Sequence, residues 1–224
     1  MIPKLEVAEG AKIVHLVADM LLATSNEHKG RSGSDLRRAC GDMKSYADIF
    51  IIRNVIGNRL DNCFKQARVT GATLDEFNRI RESVLAETVT TLIGKLIKQA
   101  CVNFSLQQMA MCITTITFTS REDVALLRND LHPAFFQATE VAADEMALMV
   151  YRALVTLHAA VTFHLFETAR PLPQMLNYKF AGPRPTLILS HRLYSTASRA
   201  DELREENKVV HPAFAPREGR ALAF

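Results

Sequence analysis

Apolar residues recur along most of this chain in steps of three and four, the spacing that lines up side chains on one face of an α-helix. Ile13, Leu16, Met20 and Ala23 form the first such stripe, within a helix expected over residues 7–23. Residues 28–33 (HKGRSG) read as a basic loop, with Ser34 as the N-cap of the next helix. That helix is expected over residues 35–69. Ile52, Ile56, Leu60, Cys63 and Ala67 share a face, Gly57 is an internal weak point and Gly71 closes it. Thr73-Leu74-Asp75-Glu76 has the form of a capping box, in which a hydroxyl and a carboxylate satisfy the free N–H groups of a helix start. Leu85, Val89, Leu92, Leu96 and Ala100 mark the helix that follows, reaching toward Ser120 with a break near residues 103–108. Ser120-Arg121-Glu122-Asp123 opens another helix with a cap and two acids in its first turn. Val124, Leu127 and Leu131 form its stripe. Pro133, which lacks a backbone donor, is expected to kink or interrupt it. Val150, Leu154, Leu157, Val161 and Leu165 resume the pattern until Pro171 and Pro173 end it.

The character of the chain changes there. Six of the eight prolines lie at 171 or beyond, and the segments become short. Residues 176–180 suit a strand and 181–185 a turn. Thr186 can cap a helix over 187–194, Ser198 a second over 199–207, and 219–224 suit a closing strand. The order is β-α-α-β, with Leu187, Leu193, Tyr194, Leu203 and Leu222 as its expected core. The fold class is therefore mainly α: a long-helix bundle or arm over residues 1–172, then a small α+β module over 173–224.

Composition narrows the functional classes. With 48% apolar and 23% charged residues in a chain of 224, the protein is globular rather than disordered. Only 9 glycines in that length argue against a many-stranded sandwich, which needs frequent turns. The net charge is +3, and the charges are interspersed without a basic block, so nucleic-acid binding is not expected. Cys40, Cys63, Cys101 and Cys112 form no C-x-x-C pair and sit in apolar helical contexts, which suits buried, reduced thiols. The first twelve residues contain no apolar core of an export signal. Residues 101–119 and 146–166 are apolar enough to raise the question of a membrane. Asn103, Gln107 and Gln108 in one, and Arg152, His158 and His164 in the other, favour buried bundle helices instead.

Catalytic chemistry is sought without result. Gly30-Arg31-Ser32-Gly33-Ser34 lacks the lysine of a phosphate-binding loop. His164 and Glu167 can share a helix face, but two ligands do not make a metal site. Asp130 and His132 diverge on a helix, His158 suits a packed ring, and Glu140, Asp144 and Glu145 suit a solvated face. No nucleophile or general base stands out, so neither an enzyme nor a cofactor or metal is expected.

The C-terminal part carries the informative likeness. An apolar-x-x-x-Leu-Tyr helix ending in Leu193-Tyr194, Asn207 at the end of the second helix, and Gly219-x-x-Leu222 in the last strand resemble a LysM module. The run from His191 to Leu203, followed by Asn207 and His211-Pro212-Ala213-Phe214-Ala215-Pro216, resembles the C-terminal part of the Mu-like phage DNA circularisation family of tail proteins. Phe118-Thr119-Ser120-Arg121-Glu122-Asp123-Val124-Ala125-Leu126-Leu127-Arg128 resembles that family's entry into a long helical pair. The likeness covers residues 118–224. It implies a structural subunit of a tail baseplate or hub, located in the virion and assembled in the host cytoplasm. Its implied partners are other baseplate, tube or hub subunits, together with further copies of itself in a ring. No small-molecule substrate is implied. Gly182-Pro183-Arg184-Pro185-Thr186 stands where glycan-binding LysM modules usually carry Gly-Asp-Thr, so docking on protein is expected in place of sugar. The expected contact residues are Arg184, Lys208, His211, Phe214 and Arg217, basic and aromatic groups on loops 181–185 and 208–217. The alternatives are a peptidoglycan-binding LysM protein and a helical DNA-binding protein.

Overall fold

In a computed structural model, which describes residues 3–24 and 30–223, the periodic segments fold as helices, but the chain turns at other places than the pattern suggests. Helix α1 (Lys4–Ala23) buries Ile13, Val14, Val17 and Leu21, while Ala23 of the expected stripe is exposed. Helix α2 (Arg31–Ile52) begins three residues before the expected Ser34 cap. Ser34 lies inside the first turn, and its hydroxyl donates to the Gly30 carbonyl at 3.0 Å. Residues 28 and 29 of the expected loop lie outside the described residues.

The single helix expected over 35–69 is two. Asn54 takes a left-handed backbone (φ 54°) between α2 and α3 (Ile56–Val69), so Gly57 is not the break. Asparagine tolerates that conformation better than most non-glycine residues. Gly71, at φ 93°, follows α3 as expected. Helix α4 (Leu74–Ala86) starts with the complete Thr73–Glu76 capping box. It ends well before residues 103–108, and α5 (Leu92–Ile113) is a separate helix. The turn between them is held from elsewhere in the chain. Glu9 accepts the Thr90 and Thr91 backbone N–H groups at 2.9 and 2.7 Å and both threonine hydroxyls. Lys98 donates to the Leu85 and Glu87 carbonyls, each at 2.8 Å, and so caps the end of α4. Because one helical phase does not carry across this turn, Leu92 and Leu96 are exposed. Ile80, Val84, Ile97 and Cys101 are buried in their place.

Helix α6 (Arg121–Asp144) passes through Pro133 without interruption. Pro133 and Asn129, whose carbonyl loses its helical donor there, are both exposed, so water can take that bond. Helix α7 (Leu148–Ala169) follows a turn in which Met146 has φ 54°. The expectation that residues 146–166 form a buried bundle helix fails: 17% of the apolar stretch of α7 is buried. By length and composition α7 could cross a membrane. Residues of α5, by contrast, are buried along much of its length.

Residue contacts divide the chain into two compact units. The first comprises residues 1–116 and 131–161. In it α1 packs on α2, α3, α4 and α5, and Phe64, Phe77 and Phe104 cluster with ring centres 6.0–6.2 Å apart. Gly10 permits the close approach of α1 to α5: a Cβ there would lie 2.7 Å from the Ile97 side chain. The second unit comprises residues 117–130 and 162–224, and contains the sequence boundary at 172/173. Its sheet is β1 (Gln174–Lys179) paired antiparallel with β2 (Glu218–Ala223), in register from Gln174↔Ala223 to Lys179↔Glu218. Helices α8 (Thr186–Tyr194) and α9 (Ala200–Glu206) lie between the strands in sequence. Phe224, expected in the last strand, lies outside the described residues.

Candidate docking site

The second unit is built around a small apolar cluster of Tyr178, Leu189, Leu203, Ala215 and Ala221, with Phe180, Leu193, Tyr194 and Val209 packed against it. Leu203 and Leu222 are buried as expected. Leu193 and Tyr194 are half-buried. Leu187 is 59% exposed, and Leu189, two positions on, takes the core position at 1%. Two residues of the sequence motif meet here. Asn207 accepts the Arg220 N–H at 2.7 Å and donates to the Arg220 and Leu203 carbonyls at 2.8 and 2.9 Å, tying the end of α9 to β2. Gly219 leaves room for that amide and for the Tyr178 ring. Arg199 lies over the Tyr194 ring, 3.8 Å from its centre, and bonds Glu202 and the Leu222 carbonyl.

The Ser120–Asp123 tetrapeptide does more than start a helix. Ser120 and Asp123 cap one another, at 3.1 and 3.2 Å. Partial burial acts to raise the Asp123 carboxyl, but hydrogen bonds from Ser120 and from the Thr119 hydroxyl together outweigh it and hold the group below the ordinary aspartate range. Arg121 donates through Nε to the Leu172 carbonyl at 2.7 Å, and Glu122 accepts the Met175 N–H at 2.8 Å. The helix start thus clamps the chain as it enters β1.

Loops 181–185 and 208–217 run side by side. The Ala215 N–H donates to the Arg184 carbonyl at 3.0 Å, and the Thr186 N–H to the Pro212 carbonyl at 2.7 Å. Of the expected contact residues, Lys208, His211, Phe214 and Arg217 are exposed. Phe214 is 72% exposed, with its ring 5.5 Å from that of His211. Arg184 is half-buried, and its Nε is shielded from solvent without a hydrogen-bond partner among the described residues. Its main chain joins the loops, so it belongs to the base of this surface. Val210, fully exposed beside these groups, was missed by the sequence reading.

The remaining candidates are less specific. In the first unit an apolar groove of about 650 Å³ runs between α5 and α7, lined by Phe104, Met149, Ala153 and Leu157 among others. His158 stacks on Phe135 at 5.0 Å and lies 5.2 Å from the His132 ring. Partial burial, and then His132, lower its pKa, in keeping with a packed ring. The four cysteines are buried and unpaired. Burial pushes Cys101 up to about 12 and raises Cys112, while a hydrogen bond with Cys40, together with burial, raises Cys63. Such thiols are poor nucleophiles at neutral pH. No group of three or more metal-ligating side chains is assembled among the described residues.

In comparisons with known proteins, the chain matches no family model and no curated sequence.

Proposed function

We propose that this chain is a structural subunit of a phage tail baseplate or hub: a helical scaffold carrying a LysM-like module that docks on neighbouring subunits. The observation that carries the reading is the loop pair 181–185 and 208–217, where Phe214 and Val210 are exposed on the same loop as Lys208 and Arg217, which form no ion pair among the described residues. A main-chain framework holds that surface, so its shape is set before a partner arrives. The β-α-α-β order of the module supports the LysM likeness, and the exposed apolar length of α7 supports a scaffold with neighbours to pack against.

The test is a phage genome in which this chain carries Phe214→Ala with Arg217→Glu. Tails should be absent or sparse by electron microscopy of lysates, while the purified variant keeps the circular dichroism and melting behaviour of the parent. Normal tails from that variant would contradict the reading. So would specific binding of peptidoglycan fragments or duplex DNA by the purified wild-type chain, or its flotation with lipid vesicles.

A further inference from the structure

Two surfaces of this chain have opposite charge, and each carries exposed apolar side chains. The first is the turn between α6 and α7. Glu140 and Asp144 lie four residues apart on α6, a spacing that sets like charges beside each other. Both are exposed, and neither has an ion pair among the described residues. They stand at the C-terminal end of a helix with no basic residue in its last turn, where the helix dipole already disfavours negative charge. Just beyond them Met146 is 90% exposed, Leu148 56% and Met149 78%. The turn is fixed by main-chain bonds from Glu145 to the Val141 carbonyl at 3.0 Å and from Ala147 to the Ala142 carbonyl at 2.9 Å. Both acids are therefore open to a cation supplied by another molecule.

The second surface is the loop pair. Residues 207–217 contain Lys208, His211 and Arg217 and no acid. Lys208 and Arg217 are exposed and form no ion pair among the described residues. Val210 and Phe214, on the same loop, are exposed as well.

We propose that the acidic α6–α7 turn of one copy of this chain seats on the basic, aromatic loop pair of the next. Glu140 and Asp144 meet Lys208 and Arg217, and Met146 and Met149 meet Val210 and Phe214. The occupant is a second copy because each chain carries both halves, matched in charge and in apolar content. Such a contact is head-to-tail: it leaves one free half at each end and propagates until a ring closes or a filament grows. Its charge pairs draw on side chains exposed in the single chain, so the contact is modest in strength and sensitive to salt. The inference deepens the tail-subunit reading by naming the contact between copies.

The test uses purified full-length chain in sedimentation equilibrium at low and high salt. Wild type should self-associate, with an association constant about tenfold lower at 300 mM than at 50 mM salt. Glu140→Lys with Asp144→Lys, and separately Lys208→Glu with Arg217→Glu, should each weaken association about 10- to 100-fold. Mixing the two variants should restore it, because the new basic turn then faces the new acidic loop. Both pairs are on the surface, and unchanged circular dichroism serves as the fold control. Wild type that stays monomeric at about 100 μM, association indifferent to both variants, or a mixture without rescue overturns the proposal. Any of these in a chain that is nevertheless found in purified tails would end this inference alone and leave the tail-subunit reading standing.

Discussion

Replacing Gly219 with alanine tests how the C-terminal module is locked. The added Cβ would fall on the Asn207 side-chain oxygen and lie 2.5 Å from the Tyr178 hydroxyl oxygen and 2.7 Å from its ring. Ordinary carbon contacts begin at roughly 3.5 Å, so something must move. Asn207 must withdraw, and Tyr178, 7% exposed in the core cluster, must shift as well, because its hydroxyl and ring stay too close whatever Asn207 does. Withdrawal forfeits its three hydrogen bonds, worth about 1 kcal/mol each. Alanine also stiffens the unfolded chain, which returns about 0.4–1 kcal/mol. The net loss is at least about 2–3 kcal/mol, before any cost of moving Tyr178. The module's own opening is best read by amide hydrogen exchange across residues 174–179 and 218–223, where that loss corresponds to roughly 30- to 150-fold less protection. Asn207→Ala removes the clashing oxygen, so the Gly219→Ala/Asn207→Ala pair should cost clearly less than the sum of the single changes. A change in protection below about threefold for Gly219→Ala, or strict additivity of the pair, would refute the packing argument.

Two further substitutions probe the same style of reasoning. Leu189→Ala should cost about 2–4 kcal/mol in urea unfolding, while Leu187→Ala on the exposed side of the same helix should stay within about 0.5 kcal/mol. Hydrogen bonds from the Thr91 hydroxyl, then from the Thr90 and Thr91 main chain, hold the Glu9 carboxyl down at about 2, against an ordinary value of 4.5. Its contribution is therefore complete above pH 4.5 and disappears as pH falls through 2. Glu9→Gln should lower the urea midpoint at pH 7, with the gap to wild type narrowing below pH 4.5 and closing near pH 2; a gap independent of pH would refute this assignment.

What was legible in the sequence is local. The Thr73–Glu76 box, the Ser120–Asp123 cap and the Gly71 terminator all work within one turn of chain, and each appears where its residue types indicate. The mainly helical class follows from the apolar spacing and the scarcity of glycine, and the four buried cysteines from their apolar neighbours. Candidate loop residues could likewise be named from composition, because proline-rich connections carrying basic and aromatic groups belong on surfaces.

What only the tertiary structure decided is wherever distant segments meet. The α4–α5 turn has one local mark, the Thr91 hydroxyl that caps α5 by accepting the Gly94 N–H, but it is braced by Glu9, about eighty residues upstream, which no local pattern indicates. Leu189 displaces Leu187 from the core because packing on α9 and the cluster with Tyr178, Leu203 and Ala221 set the rotation of α8, and a helix of nine residues is too short for its own periodicity to fix a phase. Asn207 and Gly219 were visible as motif letters, but their shared purpose exists only once α9 and β2 lie side by side. Glu140 and Asp144 are the solvated acids the sequence indicates, but that they stand near the end of α6, close in the chain to a projecting Met146, is seen only in the fold. The cause is common to all of these. Backbone propensity and capping act over a few residues, whereas burial and charge pairing depend on what the rest of the chain brings within a few ångströms.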